Sequence, residues 1–222
     1  MHIGLIGGIG PAATDLYYRG LIDEMKRRGK PLDATIVHAD APTLVRNFEA
    51  REPGVQAQIF AGLTVRLKAA GAEAVAITSI GGHFCVNEFR PLSVLPVLDM
   101  IAAMNAHMTA QNYTRVGLLG TDTVMLTGFY GGLTEVDVLA PDEADIPKVH
   151  RAYVDMALSA KVTPAQRDVF VREGRRLTER GAQTILLGGT DLFLAFENDP
   201  PDFAILDCAE VHVQALADAA CS

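Results

Sequence analysis

The chain has 222 residues, of which 49% are apolar, and its 27 acidic against 19 basic side chains give a formal net charge of −8. A chain of this length buries a sizeable core, in one large domain or two small ones. The acidic balance argues against a nucleic-acid partner and against an anionic membrane surface, although a few local cations would still hold a small anion.

Short apolar runs alternate with longer amphipathic stretches along the whole sequence. The predicted strands are Ile3–Ile6, Ala34–His38, Ala74–Thr78, Val94–Val97, Val116–Leu119, Val136–Leu139, Thr184–Leu187 and Ala204–Leu206. The predicted helices are Ala13–Arg28, Pro53–Ala70, a short one after His83, Met100–Gln111, Met125–Leu133, Ile146–Ser159, Pro164–Arg180 and Ala209–Ala219. This alternation predicts an α/β fold of mostly parallel sheets flanked by helices. The apolar opening MHIGLIGGIG lacks a basic segment and is interpreted as the first strand, not as a signal peptide.

Two blocks of sequence recur in the same order in the two halves of the chain. IGLIGGIGPAATDLYYRGL (3–21) resembles VGLLGTDTVMLTGFYGGL (116–133), and LKAAGAEAVAITSIGGHF (67–84) resembles LTERGAQTILLGGTDLFL (177–194). βαβ units resemble one another in many proteins, but a duplication explains the recurrence better, because two separate blocks recur in the same order. We therefore expect one lobe of residues 1–97 and 208–222 and a second of residues 98–207. Ligands of open α/β sheets bind beyond the carboxyl ends of the strands, so two facing lobes would share one cleft.

The glycine-rich segment GGIGPAAT (7–14) joins the first strand to the first helix. Glycine lets the backbone approach a ligand, and a helix N-terminus offers free N–H groups to a carboxylate or phosphate. Ala13 stands where a dinucleotide-binding fingerprint needs its third glycine, so a dinucleotide is not expected. A tight turn that only packs the helix against the strand explains the segment about equally well.

Ser79 and His83 lie in AITSIGGHF (76–84), where an apolar strand ends in small polar residues. A nucleophilic serine needs a base in contact and a third group that orients the base, and no GxSxG element is present. A histidine at such a turn is well placed for proton transfer near neutral pH. The alternative is a helix-terminal histidine satisfied by backbone groups.

Asp40 and Arg46 follow the second predicted strand in HADAPTLVRN (38–47). An arginine in a loop at the carboxyl edge of a sheet can hold a substrate carboxylate by a bidentate pair. A solvated surface arginine is an equally good interpretation of this segment.

The histidines and cysteines do not form a recognisable site. The six histidines are scattered without an HxH or HxxxH pair, so no metal is expected. The three cysteines, Cys85, Cys208 and Cys221, are odd in number and widely spaced. They predict no disulfide framework, and a reducing cytoplasm is the expected location.

These segments, in this order, resemble the aspartate/glutamate racemase family, whose members need no pyridoxal phosphate. The opening IGLIGGIGPAATDLYYRGLID is similar to the family's first strand, glycine loop and tyrosine-bearing helix. GAEAVAITSIGGH and GAQTILLGGTDL resemble its two catalytic turns, VGLLGTDTVMLTGFY the opening of its second lobe, and ILDCAEVH its closing segment. The resemblance implies two pseudo-twofold-related lobes around a cleft, a homodimer, no cofactor, and acidic amino acids as typical substrates.

The departures from the family pattern concern its proton-transfer residues. The resemblance implies one cysteine on each lobe, with a thiolate that takes the α-proton and a thiol that returns it. Ser79 and Gly189 stand at those two positions, and Ile80 and Gly81 replace the residues that flank the first cysteine. A hydroxyl is a far weaker base than a thiolate, and glycine has no side chain, so the two-thiol mechanism is not expected here.

The expected function is a PLP-independent, amino-acid racemase-like isomerase that binds a small carboxylate or acidic amino acid in the interlobe cleft. The alternatives are a catalytically silent binding or sensing homologue, and a lyase or cis–trans isomerase acting on a small carboxylate. The expected substrate-binding residues are Gly8, Ile9, Gly10, Thr14, Asp40, Arg46, Thr121, Thr190 and Asp191. The expected catalytic positions are Ser79, His83, the substituted position Gly189 and, as a compensating thiol at the cleft edge, Cys208. For Cys208 a buried, inert cysteine is the alternative.

Overall fold

A computed structural model describes all 222 residues of the chain. Residue contacts divide it into two compact units. The first unit contains residues 1–100 and 212–222, and the second contains residues 101–211. The divisions therefore fall at 100 and 211, where the sequence led us to expect 97 and 207.

Seven strands alternate with nine α-helices. The strands are β1 (Ile3–Gly7), β2 (Ala34–His38), β3 (Ala74–Ile77), β4 (Arg115–Leu119), β5 (Asp137–Leu139), β6 (Ile185–Leu187) and β7 (Ile205–Asp207). The helices are α1 (Pro11–Arg27), α2 (Ala41–Glu49), α3 (Pro53–Ala69), α4 (Val86–Phe89), α5 (Met100–Ala110), α6 (Asp122–Gly131), α7 (Ile146–Ser159), α8 (Pro164–Glu179) and α9 (Cys208–Cys221). Short 3-10 helices cover Ile80–Cys85, Arg90–Leu92 and Leu192–Ala195. This confirms the predicted α/β class with two parallel sheets.

The sheet of the first unit has the order β2-β1-β3, and all pairs are parallel. The predicted strand Val94–Val97 is wrong as a strand, because only one parallel bridge, between Val75 and Val97, forms there. The amide of Val75 donates to Pro96 O at 2.9 Å, and the amide of Leu98 donates to Val75 O at 2.8 Å. Pro96 has no N–H to extend this pairing, which explains why the ladder stays short.

The sheet of the second unit has the order β5-β4-β6-β7, again wholly parallel. Its first three strands repeat the order found in the first unit, with β4, β5 and β6 in the places of β1, β2 and β3. The turns after β3 and β6 therefore follow equivalent strands, and each lies at the carboxyl edge of its sheet. Ligands of open α/β sheets bind at that edge.

Two helices differ from the predictions. Helix α2 was not predicted, and it begins where Asp40 accepts a hydrogen bond from the amide of Thr43 and where Pro42 fills the first turn. Helix α6 was predicted as continuous over 125–133, but Gly128, Phe129 and Tyr130 have left-handed backbone angles, with φ near 60°. The left-handed turn buries Phe129 completely.

The cores are built from the strands and the inward faces of the helices. In the first unit Phe60, Leu67 and Phe89 pack with Ile6 and Ile77 in one fully buried cluster. Helix α8 begins with a capping box, in which Thr163 and Gln166 satisfy each other's backbone amides. Every helix is too short or too polar to cross a bilayer.

Candidate functional site

The opening loop of the first unit is held by glycines and one threonine. Gly8 has a φ of 91°, and a Cβ there would lie 2.3 Å from His38 Nδ1. Thr14 Oγ1 accepts a hydrogen bond from the Gly8 amide at 2.9 Å and donates to Gly10 O at 3.1 Å. Gly10 starts α1 without a side-chain cap, which leaves first-turn amides open at the loop, while Ile9 is buried beneath it.

Arg46 lies in α2 and Asp40 is the N-cap residue of that helix, where a loop was predicted. Asp40 Oδ2 accepts hydrogen bonds from the amide and hydroxyl of Thr43, at 2.9 and 2.5 Å. These two bonds lower the pKa of the Asp40 carboxyl. Arg46 donates to Thr43 Oγ1 at 2.8 Å, and both charged side chains are exposed. The carboxylate therefore caps the helix, and the arginine lies on its surface beyond the end of β2.

The turn after β3 buries Ser79 and His83. His83 Nδ1 donates to the Ser79 carbonyl oxygen at 2.8 Å, which fixes the proton on Nδ1. Nε2 then accepts from the Met100 amide at 3.4 Å, and Asp99 Oδ1 lies 3.6 Å from it. Burial lowers the pKa of His83, although Asp99 opposes the shift. The imidazole is thus neutral, and the contact of its Nδ1 with Ser79 is to the backbone, not to the hydroxyl.

A second buried histidine lies beside His83, with the two ring centroids 6.3 Å apart. His212 Nε2 donates to Leu98 O at 3.0 Å, so Nδ1 accepts from the hydroxyl of Tyr17 at 2.8 Å. Burial, with a smaller contribution from His83, lowers the pKa of His212 to about 3. The first unit therefore holds two neutral imidazoles in one buried network.

The turn after β6 contains Gly189, and Tyr153 occupies the space where a side chain at this position would lie. A Cβ on residue 189 would lie 2.3 Å from Cε2, 2.5 Å from Cζ and 2.8 Å from the hydroxyl oxygen of Tyr153. Real Cβ atoms do not approach other atoms this closely. The ring of a residue on α7 thus fills the position that a side chain at 189 would take.

Polar groups surround the Tyr153 ring at this turn. The Tyr153 hydroxyl donates to Asp191 Oδ2 at 3.5 Å. Burial raises the pKa of Tyr153 well above its ordinary value, and the nearby acidic groups of Asp191 and Cys208 add to the shift. Thr190 is 1% exposed, and its Oγ1 has no hydrogen-bond partner in the protein. The turn therefore combines a protonated phenol, a buried threonine hydroxyl and the carboxyl of Asp191.

The end of β7 brings a further carboxyl next to a buried thiol. Asp207 Oδ1 accepts from the Ala209 amide at 2.8 Å and so caps α9. Burial, opposed by the Ala209 amide and assisted by Glu210, raises the pKa of Asp207 to about 7. Cys208 is fully buried, and burial followed by Asp207 raises the pKa of its thiol well above the ordinary value. A thiolate at Cys208 is therefore disfavoured, and the thiol is packed in the interior.

The other two cysteines and Thr121 have no contact that indicates a catalytic role. Burial raises the pKa of Cys85 to about 12, and its Sγ donates to Gly82 O. Cys221 is the exposed last residue of α9. Thr121 caps α6 by accepting a hydrogen bond from the Val124 amide at 3.3 Å.

The profile of the Asp/Glu/hydantoin racemase family matches residues 6–216, nearly the whole chain. The chain belongs to this family. Among solved structures, one provisionally described as an Asp/Glu racemase from Yersinia pestis is 28% identical, with a TM-score of 0.87 and full coverage of both chains. An aspartate racemase homologue from Pyrococcus horikoshii is 24% identical, with a TM-score of 0.82 and coverage of 100% of this chain and 99% of that one.

A third solved structure is the aspartate racemase of Picrophilus torridus, at 19% identity and a TM-score of 0.74, with coverage of 99% of this chain and 94% of that one. At this identity the likeness concerns the fold. The predicted resemblance to the racemase family is confirmed by the family profile over residues 6–216.

Within this racemase-family fold, several residues near the turns were missed in the sequence. Tyr153 lies 36 positions before Gly189 on an amphipathic helix, where its spacing indicates only a core residue. Asp99, Asp207 and His212 each stand close to a predicted element, but nothing in their local pattern indicates the buried partner. Two signals were available. The strand-to-helix transition at Asp207 is one, since an aspartate there is a typical N-cap. The other is the resemblance of ILDCAEVH (205–212), which contains Asp207 and His212, to the family's closing segment.

Proposed function

We propose that the protein binds a small carboxylate, of the class of acidic amino acids, and acts on it as a PLP-independent isomerase that does not use a pair of thiols. Membership of the Asp/Glu/hydantoin racemase family supports the reaction class. The Yersinia pestis relative, described provisionally as an Asp/Glu racemase, supports the substrate class. The expectation of one cleft shared by the two lobes remains a prediction.

One observation carries the proposal of a binding site. Thr190 Oγ1 is buried at the carboxyl edge of the second sheet without a protein partner. Buried hydroxyls are nearly always hydrogen-bonded, and an unpaired one costs roughly 1–3 kcal/mol. A ligand oxygen at this edge would supply the missing partner. In the first unit, the open amides at the start of α1 are suited to a ligand carboxylate.

The chemistry at the two expected proton-transfer positions differs from a two-thiol mechanism. We propose that Ser79 and Gly189 occupy the positions at which the resemblance implies cysteines. Ser79 has a hydroxyl, but His83 Nδ1 donates its proton to the carbonyl oxygen of Ser79 and not to that hydroxyl. The space at Gly189 contains the Tyr153 ring. Proton transfer to or from an α-carbon is therefore expected to be much slower than between two thiols.

A second candidate function is a catalytically silent binding protein on the same fold. The buried, raised-pKa thiols of Cys85 and Cys208 favour it, because neither can supply a thiolate near neutral pH. The neutral, hydrogen-bonded ring of His83 favours it as well.

The experiment that tests the proposal measures binding and turnover separately. Calorimetry with D- and L-aspartate, D- and L-glutamate and succinate reports binding. Proton NMR in heavy water reports deuterium incorporation at the α-carbon of the amino acids. Binding with slow incorporation supports the isomerase, and binding without incorporation supports the silent protein. Rapid incorporation at the rate of a two-thiol enzyme would contradict the mechanism, and absence of binding would contradict both functions.

A further inference from the structure

The hydroxyl groups of Tyr153 and Thr190 are two incompletely satisfied donors at one turn. The Thr190 hydroxyl has no partner in the protein, and the Tyr153 hydroxyl donates to Asp191 Oδ2 at the long distance of 3.5 Å. Hydrogen bonds of this length are at the outer limit of the interaction. Both side chains are buried, at 7% exposure for Tyr153 and 1% for Thr190.

Tyr153 also replaces residue 189 as the side chain presented at this turn. A Cβ on Gly189 would overlap the edge of the ring and lie 2.8 Å from the hydroxyl oxygen. A side chain at 189 and the tyrosine ring therefore exclude each other. The group that the protein offers at this position is a phenol, supplied by α7 and not by the turn itself.

We infer that Tyr153 is a specificity-determining residue whose hydroxyl donates a hydrogen bond to an oxygen of the bound carboxylate, next to Thr190. This inference rests on the proposed function and names a binding residue within it. The phenol acts as a donor because its raised pKa keeps it protonated across the neutral range. It does not act as the base that removes an α-proton.

The geometry predicts how the donor is used. The Tyr153 ring is fixed against the backbone at Gly189, so its hydroxyl loses little conformational freedom when it binds a ligand. A neutral donor that bonds to a charged oxygen contributes more than one that bonds to a neutral acceptor. The carboxyl of Asp191, next to Thr190 in the turn, accepts the present weak hydrogen bond. The ligand oxygen would replace Asp191 as the acceptor.

The test compares Tyr153→Phe with Tyr17→Phe. Each variant keeps its ring and removes one buried, hydrogen-bonded hydroxyl, but Tyr17 donates to His212 and not to the turn after β6. Calorimetry with L-aspartate, D-aspartate and succinate measures Kd for the wild type and both variants, and thermal unfolding measures their stability. For the probe that binds the wild type most tightly, we expect Tyr153→Phe to raise Kd about 10- to 100-fold. Tyr17→Phe should change Kd by less than about twofold.

Three other outcomes would overturn the inference. An unchanged Kd in Tyr153→Phe, with wild-type binding intact, would overturn the inference and leave the proposed function standing. Equal weakening by both variants would show a loss of stability and not a ligand contact, which also overturns the inference. If the wild type binds none of the three probes, the proposed function fails and the inference fails with it.

Discussion

The turns after β3 and β6 occupy equivalent places in two sheets of the same strand order, yet they bury opposite kinds of group. The first turn holds His83, a base that burial keeps neutral, beside the second neutral imidazole of His212. Tyr153 of α7 packs against the second turn, and burial keeps this acid protonated, while burial raises the pKa of the nearby Asp207 to about 7. The repeated strand order thus places the two turns equivalently, but the titratable groups buried at them differ.

The two turns also differ in how much room their glycines leave for a side chain. The first turn has room at Gly81, where a Cβ would meet only Ser79 Oγ, at 3.4 Å, although not at Gly82, where a Cβ would lie 2.6 Å from Ile77 Cγ2. The second turn has none at Gly189, because Tyr153 fills it. A residue added to one turn is therefore expected to have a different consequence from the same residue added to the other.

The largest expected effect is on cysteine reactivity. Cys85 and Cys208 are fully buried, one in each unit, whereas Cys221 is exposed. Alkylation of the buried thiols requires unfolding, and a stability of about 5 kcal/mol would slow it by roughly 10³- to 10⁴-fold relative to Cys221. Mass spectrometry of the native protein treated with iodoacetamide measures the three rates, and the same reaction in denaturant is the control. A Cys208 that reacts as fast as Cys221 would restore it as a candidate catalytic thiol.

The next largest effect is the cost of a side chain at Gly189. Gly189→Ala forces a Cβ to within 2.3 Å of the buried Tyr153 ring, and we expect it to lower the free energy of unfolding by about 3 kcal/mol. Gly81→Ala, a change at an uncrowded glycine of the turn after β3, should cost less than about 1 kcal/mol. Urea unfolding of both variants measures the difference.

A companion variant tests the cause of the Gly189 effect. In a Tyr153→Val background the ring is gone, so Gly189→Ala should lose most of its additional cost. If Gly189→Ala costs the same in both backgrounds, the Tyr153 ring is not what excludes a side chain at 189.

The dependence of stability on pH should have opposite signs in the two units. The folded-state pKa of His212 is about 3, below its ordinary value of 6.5, so acid protonates the unfolded chain first. Its contribution to stability is complete above pH 6.5 and is lost as the pH falls towards 3. The pKa of Asp207 is raised from 3.8 to about 7, so its stabilising contribution is present below pH 3.8 and is lost as the pH rises to 7.

The two contributions are separated by variants that replace each titratable side chain with a polar one that does not titrate. Between pH 7.5 and 4.5, His212→Gln should reduce the acid-induced loss of unfolding free energy by about 2–3 kcal/mol relative to the wild type. Asp207→Asn, which can still cap α9, should increase that loss. His107→Gln on α5 is the control for removing a histidine. Urea unfolding across this pH range measures the slopes, and identical slopes in wild type and His212→Gln would contradict the buried, neutral imidazole.

The elements that the sequence predicts well are those that local pattern determines. The runs Ile3–Ile6 and Val116–Leu119 are apolar and end at glycine, and each forms a strand within one residue of the prediction. Helix α2 was missed although its signals were present, since Asp40 is a typical N-cap and Pro42 a typical first-turn residue. We had interpreted the aspartate and Arg46 as ligand groups in a loop.

The composition of the site depends on contacts that no local pattern contains. In the sequence, Gly189 indicates only that no side chain is present at this position. In the fold, the ring of Tyr153 fills the space that such a side chain would take. The pattern of α7 indicates only that Tyr153 is buried. The buried pairing of Tyr17 with His212 spans 195 positions, which also lies beyond sequence periodicity. Such neighbours can be identified only once the two elements are packed together.

The smallest expected effect concerns Arg46. Its side chain is exposed and bonded to Thr43, so a contribution to carboxylate binding would be screened by solvent and salt. We expect Arg46→Ala to weaken binding of L-aspartate by less than tenfold, with a larger effect at low than at high salt. Arg66→Ala is the control, because Arg66 is exposed in the last turn of α3, before the amino end of β3. Calorimetry at two salt concentrations measures both variants. A loss of a hundredfold would show that Arg46 becomes shielded in the complex, and a loss no greater than that of Arg66→Ala would remove Arg46 from the binding residues.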